Sequence, residues 1–280
     1  MPRLVLGDRN LSNQLSRVAR RLFRRDLFVP EFARDVYLAS YPRSGNTWMR
    51  LIIAQLLYGI SEDKLNLTNR LVPDLHRNPR HRDVDWATFY VVKTHFPKQH
   101  RFFPSDPKYV IYLIRDPRDV VLSYRRYLAR RHGELRNIHE TVTDFCRGRL
   151  WPSSWVDHVQ SWEEDDVFKP CRCLWIRYED MVESPLEVID SLRFFFKVEP
   201  KVEPERIIAT AQPRALQNLD GTFLTGKTKS VEKFPFVGQA THGYWQDELP
   251  DELAHMIESY CGEVMTRHGY ACEQAELRRA

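Results

Sequence analysis

Short apolar runs alternate with longer stretches of helical periodicity along this chain of 280 residues. Residues 36–40, 88–94, 108–114 and 173–178 are rich in β-branched and aromatic side chains and end in polar or turn-forming residues, which predicts strands. Residues 49–57 are almost wholly apolar and read as a buried helix. Further helices are expected over 117–131, 139–149, 153–166, 185–196, 205–211 and 250–268. Asp116 before Pro117 makes a good helix start, with an acceptor at the cap and a fixed φ at the first helical position. Strands that alternate with helices imply an α/β fold: a central, mainly parallel sheet flanked by helices, with ligands bound beyond the C-terminal strand ends. No repeat or low-complexity linker interrupts the pattern. Residues 35–270 therefore read as a single domain, with a lead-in of residues 1–34 and a tail of 271–280.

Three stretches break the pattern. Residues 9–28 place Leu11, Leu15, Val18, Ala19 and Leu22 on one helical face, with Arg17, Arg20, Arg21, Arg24 and Arg25 largely off it. Such a basic amphipathic helix either touches an anionic membrane surface or docks on its own domain, and docking is the simpler reading. Residues 61–87 are polar and read as an irregular surface excursion. Asp74, His76, His81, Asp83 and Asp85 lie there, but their spacing matches no metal-ligand pattern. Residues 212–245 carry Gly, Thr and Lys with little periodicity, and a loop of that length serves function or motion.

Charge narrows the class of partner. Lys and Arg number 42 against 38 Asp and Glu, a formal charge of +4, yet arginines crowd the first 35 residues and residues 115–149. Local arginine clusters suit small anionic ligands, and the aromatic–basic interleaving of single-strand nucleic-acid binders is missing, so no nucleic-acid partner is expected. Five irregularly spaced cysteines point to reduced thiols and a cytoplasmic setting. Neither an apolar leader core nor a run long enough to span a membrane is found.

The candidate chemistry falls at the strand ends. Tyr41-Pro42-Arg43-Ser44-Gly45-Asn46-Thr47-Trp48 joins the first strand to the buried helix. A strand, a tight glycine-bearing loop and a helix N-terminus present backbone N–H groups and partial positive charge to an anion. The loop is not Walker A, and its plainer alternative is an ordinary helix cap, although a cap needs neither Arg43 nor Trp48. The second strand ends in Lys93-Thr94-His95, a mobile cation beside a base near neutrality. The third ends at Arg115, with Ser123 two turns down the following helix. Two separated cationic sites imply a ligand with two separated anionic groups. No metal ligand set is identified.

These segments together resemble the PAPS-dependent sulfotransferases of cytosolic type, in a bacterial-like small-molecule member. The opening loop is similar to that family's 5′-phosphosulfate loop YPKSGTTW. Lys93-Thr94-His95-Phe96-Pro97 is similar to its KTHLP stretch, and residues 111–124 to its 3′-phosphate segment. Trp155-Val156-Asp157-His158-Val159 with Trp162, and Tyr178-Glu179-Asp180-Met181, resemble WxDHVxxW and YEDM. The resemblance implies that Arg43, Ser44, Gly45, Asn46 and Thr47 hold the 5′-phosphosulfate, Trp48 stacks on adenine and Tyr178 meets its edge. It further implies that Arg115 and Ser123 bind the 3′-phosphate, that His95 is the general base, and that Lys93 and Arg43 assist at the sulfuryl group. The co-substrate would be PAPS (3′-phosphoadenylyl sulfate), the product PAP, and the acceptor a small molecule, with no metal required. The family's RKGxxGDW departs most: here it reads as residues 236–245, keeping Gly238 and Gly243 as cofactor positions but lacking the basic pair. Lys227, Lys229 or Lys233 are candidate substitutes. That gap also admits a catalytically degenerate PAPS- or PAP-binding protein. The acceptor's identity and the oligomeric state are not legible.

Overall fold

Each strand of the sheet sends alternate side chains to opposite faces, and both faces are covered. In the computed structural model, which describes residues 35–77, 90–98, 109–163, 172–211 and 241–272, the strands are β1 (Asp35–Ser40), β2 (Tyr90–Thr94), β3 (Tyr109–Ile114) and β4 (Arg172–Arg177). They run parallel in the order β2-β1-β3-β4. Val36, Leu38, Ile111 and Leu113 pack to one side, against Leu51, Ile53 and Leu56 of helix α1 (Asn46–Tyr58). Tyr37, Ala39, Val110, Tyr112 and Ile114 pack to the other, against Val121, Phe145, Trp155, Ile257 and Val264. A sheet buried on both faces is why the strands read as continuous apolar runs.

Among the described residues the expected strand and helix order is observed, with ends shifted by a few residues. The Asp116 start is observed in detail. The side chain of Asp116 accepts from the Arg118 amide at 2.9 Å, and Pro117 opens a helix that runs to His132. Helices Ile138–Cys146, Trp155–Glu163, Pro185–Phe196, Pro204–Ala211 and Asp251–Arg267 follow.

Two expectations are corrected. Tyr178 does not end the fourth strand; it opens a short helix, Tyr178–Glu183, because Glu179 turns inward to accept from the Asp116 amide at 3.2 Å and the Tyr270 hydroxyl at 2.9 Å. Residues 62–77 are not an irregular surface excursion either. They form helical turns Glu62–Leu67, Thr68–Leu71 and Leu75–Arg77, and Asp74 bridges in parallel to Lys93 beside β2. Arg50, buried in α1, holds this segment by donating from Nε to the Val72 carbonyl at 2.8 Å. The helix expected at 9–28, His81, Asp83, Asp85, Lys227, Lys229, Lys233 and Gly238 lie outside the described residues. No helix among the described residues is long and apolar enough to cross a membrane.

Candidate active site

Register places the three polar strand ends side by side. Ala39 of β1 pairs with Thr94 of β2 and with Tyr112 of β3. The loop after β1 therefore has His95 on one flank and Arg115 on the other.

The loop is shaped by backbone conformations that few residues adopt. Arg43 has φ 76° and Gly45 φ 92°, both left-handed. A side chain at Gly45 would lie 2.6 Å from the Tyr178 ring, so glycine serves both the turn and the close approach. Behind it, the amide of Met49 donates to the Gly45 carbonyl at 3.1 Å and starts α1. Asn46 is tied to β1: its Nδ2 donates to Ser40 Oγ at 3.1 Å. Ser44 is wholly buried, and its Oγ has no hydrogen-bond partner among the described residues. Thr47 is half-buried in the first helical turn. Trp48, buried, meets the Tyr178 ring edge-on with centroids 6.0 Å apart.

On the β3 flank, Arg115 sits over Tyr178, its Cζ 3.9 Å from the ring centroid. It donates to the carbonyls of Arg43 at 3.3 Å and Thr241 at 3.1 Å, and stands 3.5 Å from Asp119. Its Nε is buried without a hydrogen-bond partner among the described residues. Arg43 Nε donates to Ser123 Oγ at 3.1 Å, so the loop's guanidinium points to the Ser123 corner. Burial pushes the Arg43 pKa down, and the neighbouring Arg115 and Arg130 push the same way, against Tyr244 and Tyr127. A guanidinium remains charged regardless. Gly243 is brought here by Asp119, which accepts from the amides of Gly243 at 2.8 Å and Trp245 at 3.1 Å. The Gly243 N–H is thus engaged by protein.

On the β2 flank, His95 Nδ1 lies 2.8 Å from the Ser40 carbonyl. A carbonyl only accepts, so Nδ1 carries the proton and Nε2 is left as the basic nitrogen. Burial holds the imidazole pKa well below its ordinary value, reinforced by Lys93 and His76 and opposed by Asp74 and the Ser40 carbonyl. These influences together favour the neutral ring. The resembling WxDHVxxW segment supports this flank from behind. His158 Nε2 donates to the His95 carbonyl at 3.1 Å and its Nδ1 accepts from Tyr112 at 2.8 Å, while Trp162 Nε1 donates to the Phe96 carbonyl at 3.2 Å. Lys93 Nζ lies 3.0 Å from Asp74.

The structure thus brings together Arg43, Ser44, Gly45, Trp48, Lys93, His95, Arg115, Ser123, Tyr178 and Gly243. Sequence reasoning missed Asp119, four residues after Arg115 on its helix, and Asp74 with His76, which no motif marks. Ser44 Oγ just before α1 and Arg115 Nε just before the helix that Pro117 opens, a hydroxyl and a guanidinium donor left unmatched, each fit an oxyanion.

A family model for the sulfotransferase domain matches residues 33–269. The chain belongs to that family, the PAPS-dependent sulfotransferases of cytosolic type. It is similar to the flavonol 3-sulfotransferase of Flaveria bidentis, with 24% identity over 84% of this chain and 83% of that one. It is also similar to mouse sulfotransferase 1E1, with 27% identity over 82% and 83%. Among solved structures, the fold matches retinol dehydratase in complex with retinol and PAP, with TM-score 0.68 and 19% identity over 85% and 82% of the two chains. It also matches mouse sulfotransferase SULT7A1 complexed with PAP, with TM-score 0.63 and 18% identity over 85% and 86%.

Proposed function

We propose that this sulfotransferase moves the sulfuryl group of PAPS, in line, to a hydroxyl or amine of a small-molecule acceptor and releases PAP. The observation that carries the reading is the His95 ring: Nδ1–H is committed to the Ser40 carbonyl, leaving Nε2 basic beside the anion loop. His95 Nε2 takes the acceptor's proton as the acceptor atom bonds to sulfur and the bond from sulfur to the phosphate oxygen breaks. Lys93, Arg43 and the amides around Ser44, Gly45, Asn46 and Thr47 offset negative charge on the transferred group and the departing phosphate, as preorganised donors do in phosphoryl transfer. Trp48 and Tyr178 contact adenine, and Arg115 with Ser123 receives the 3′-phosphate. Arg43 carries five N–H donors, so its Nε can stay on Ser123 Oγ while the Nη groups meet the sulfuryl side.

Solved relatives carrying PAP, and the unmatched donors Ser44 Oγ and Arg115 Nε, support PAPS as the donor. The test is His95→Ala with labelled PAPS and an acceptor panel. Transfer should fall by about 10²–10⁴ while PAP affinity, measured by calorimetry, stays within a few-fold. A parallel collapse of PAP affinity would make His95 a structural residue instead.

A further inference from the structure

The segment that looked like surface loop packs directly against the proposed transfer site. Pro73 accepts from the Lys93 amide at 2.8 Å, so residues 73–74 extend the sheet alongside the end of β2. Asp74 Oδ2 meets Lys93 Nζ at 3.0 Å, with side chains only 12% and 10% exposed. Its other oxygen, Oδ1, accepts from the His76 amide at 3.0 Å. His76 Nε2 then accepts from the His95 amide at 2.9 Å, and the His76 ring packs on Phe96 with centroids 4.1 Å apart.

We propose that Asp74 and His76 are positioning residues of the transfer site: Asp74 fixes the Lys93 ammonium, and His76 fixes the backbone from which His95 projects. The inference rests on the sulfuryl-transfer reading above and goes further, because neither residue is assigned a role by the motif positions. A lysine side chain on its own samples many rotamers, and a cation that must meet a developing charge is worth most when held in place beforehand. The carboxylate does this in a nearly dry setting, where removing one partner of a charge pair has a large effect. His76 acts through the neutral ring alone, since an imidazolium has no acceptor to offer the His95 amide. The groups facing His95 are Lys93 and Asp74 beside it, His76 stacked at 5.9 Å, Trp151 edge-on at 6.1 Å, and the Ser40 carbonyl behind. Asp74 is the one carboxylate among them, so its charge favours the protonated ring.

The test is Asp74→Asn, which keeps shape and hydrogen bonding to the His76 amide but removes the charge, with Asp74→Glu as the conservative rescue. In steady-state assays with PAPS, Asp74→Asn is expected to lower kcat by about 10- to 100-fold with KM for PAPS changed less than about 3-fold, and Asp74→Glu to recover part of the loss. Ring NMR of the full chain should show His95 titrating at lower pH in Asp74→Asn than in wild type. An unchanged kcat, or a kcat loss that the Glu variant does not recover and that tracks a lower denaturation midpoint, overturns the inference. The NMR arm needs no turnover: should wild type transfer no sulfuryl group, the function fails, while an unmoved His95 titration sinks the positioning role separately.

Discussion

Arg115 and Arg118 stand three residues apart at one strand–helix junction and live in opposite electrostatic worlds. Arg118 is saturated with carboxylates. It bonds Asp116 through Nε at 3.0 Å and Nη2 at 2.7 Å, and Glu258 of the C-terminal helix through Nη1 at 2.6 Å, with its guanidinium 3.7 Å over the Trp245 ring. Arg115, equally buried, has a single carboxylate at 3.5 Å; carbonyls and the Tyr178 ring supply the rest, and its Nε goes unmatched. The lesson is one of partner supply. A buried guanidinium met by two carboxylates is a scaffold clamp, whereas one lodged among dipoles and rings retains attraction for an incoming anion.

The largest expected effect comes from breaking the clamp. Arg118→Met leaves Asp116 and Glu258 as buried uncompensated carboxylates and should cost about 3–5 kcal/mol in chemical denaturation. A variant as stable as wild type would show that those carboxylates find other partners. Arg115→Met should do the reverse: PAP affinity by calorimetry drops by about 10- to 100-fold, from a charge-assisted contact of about 1.5–3 kcal/mol, with a far smaller loss of stability. Equal destabilisation by both variants would erase the distinction between them. Ser123→Ala, which removes a neutral hydroxyl partner of Arg43, should weaken PAP binding only several-fold, for about 1 kcal/mol.

The last expected effect is in pH. Asp74 is a site charge that is paired, and Lys93, followed by His76, holds its carboxyl well below the ordinary range despite the opposing cost of burial. A depressed carboxylate stabilises the fold above its unfolded pKa of about 4 and loses that contribution as pH falls toward its folded value. Asp74→Asn should therefore flatten the acid limb of a stability–pH curve. An unaltered limb would mean that the pair adds nothing to folding.

Much of this was readable in one dimension because it depends on local rules. Apolar runs, the Asp116–Pro117 start and the glycine turn at Gly45 follow from near-neighbour sterics and hydrogen bonding, so strand order along the chain and the anion loop could be written down from residues alone. Tyr178 reads as the end of a strand in sequence, yet its helix begins where Glu179 finds the Asp116 amide, 63 positions away. Asn46 has the composition of a ligand-facing loop residue, yet it turns inward to Ser40 because that hydroxyl lies beneath it in the fold.

Asp74 and His76 mark the boundary most sharply. Nothing in their spacing separates them from solvated loop residues; their meaning comes from the parallel bridge that sets Asp74 against Lys93 and His76 against His95. The chain's own pattern was enough to specify an α/β sheet with cations and a histidine at its strand ends, since periodicity and turn chemistry are local. Which of those charges are sealed in pairs and which stay available is a matter of long-range packing. Partner distance and desolvation, not residue type, separate Arg115 from Arg118.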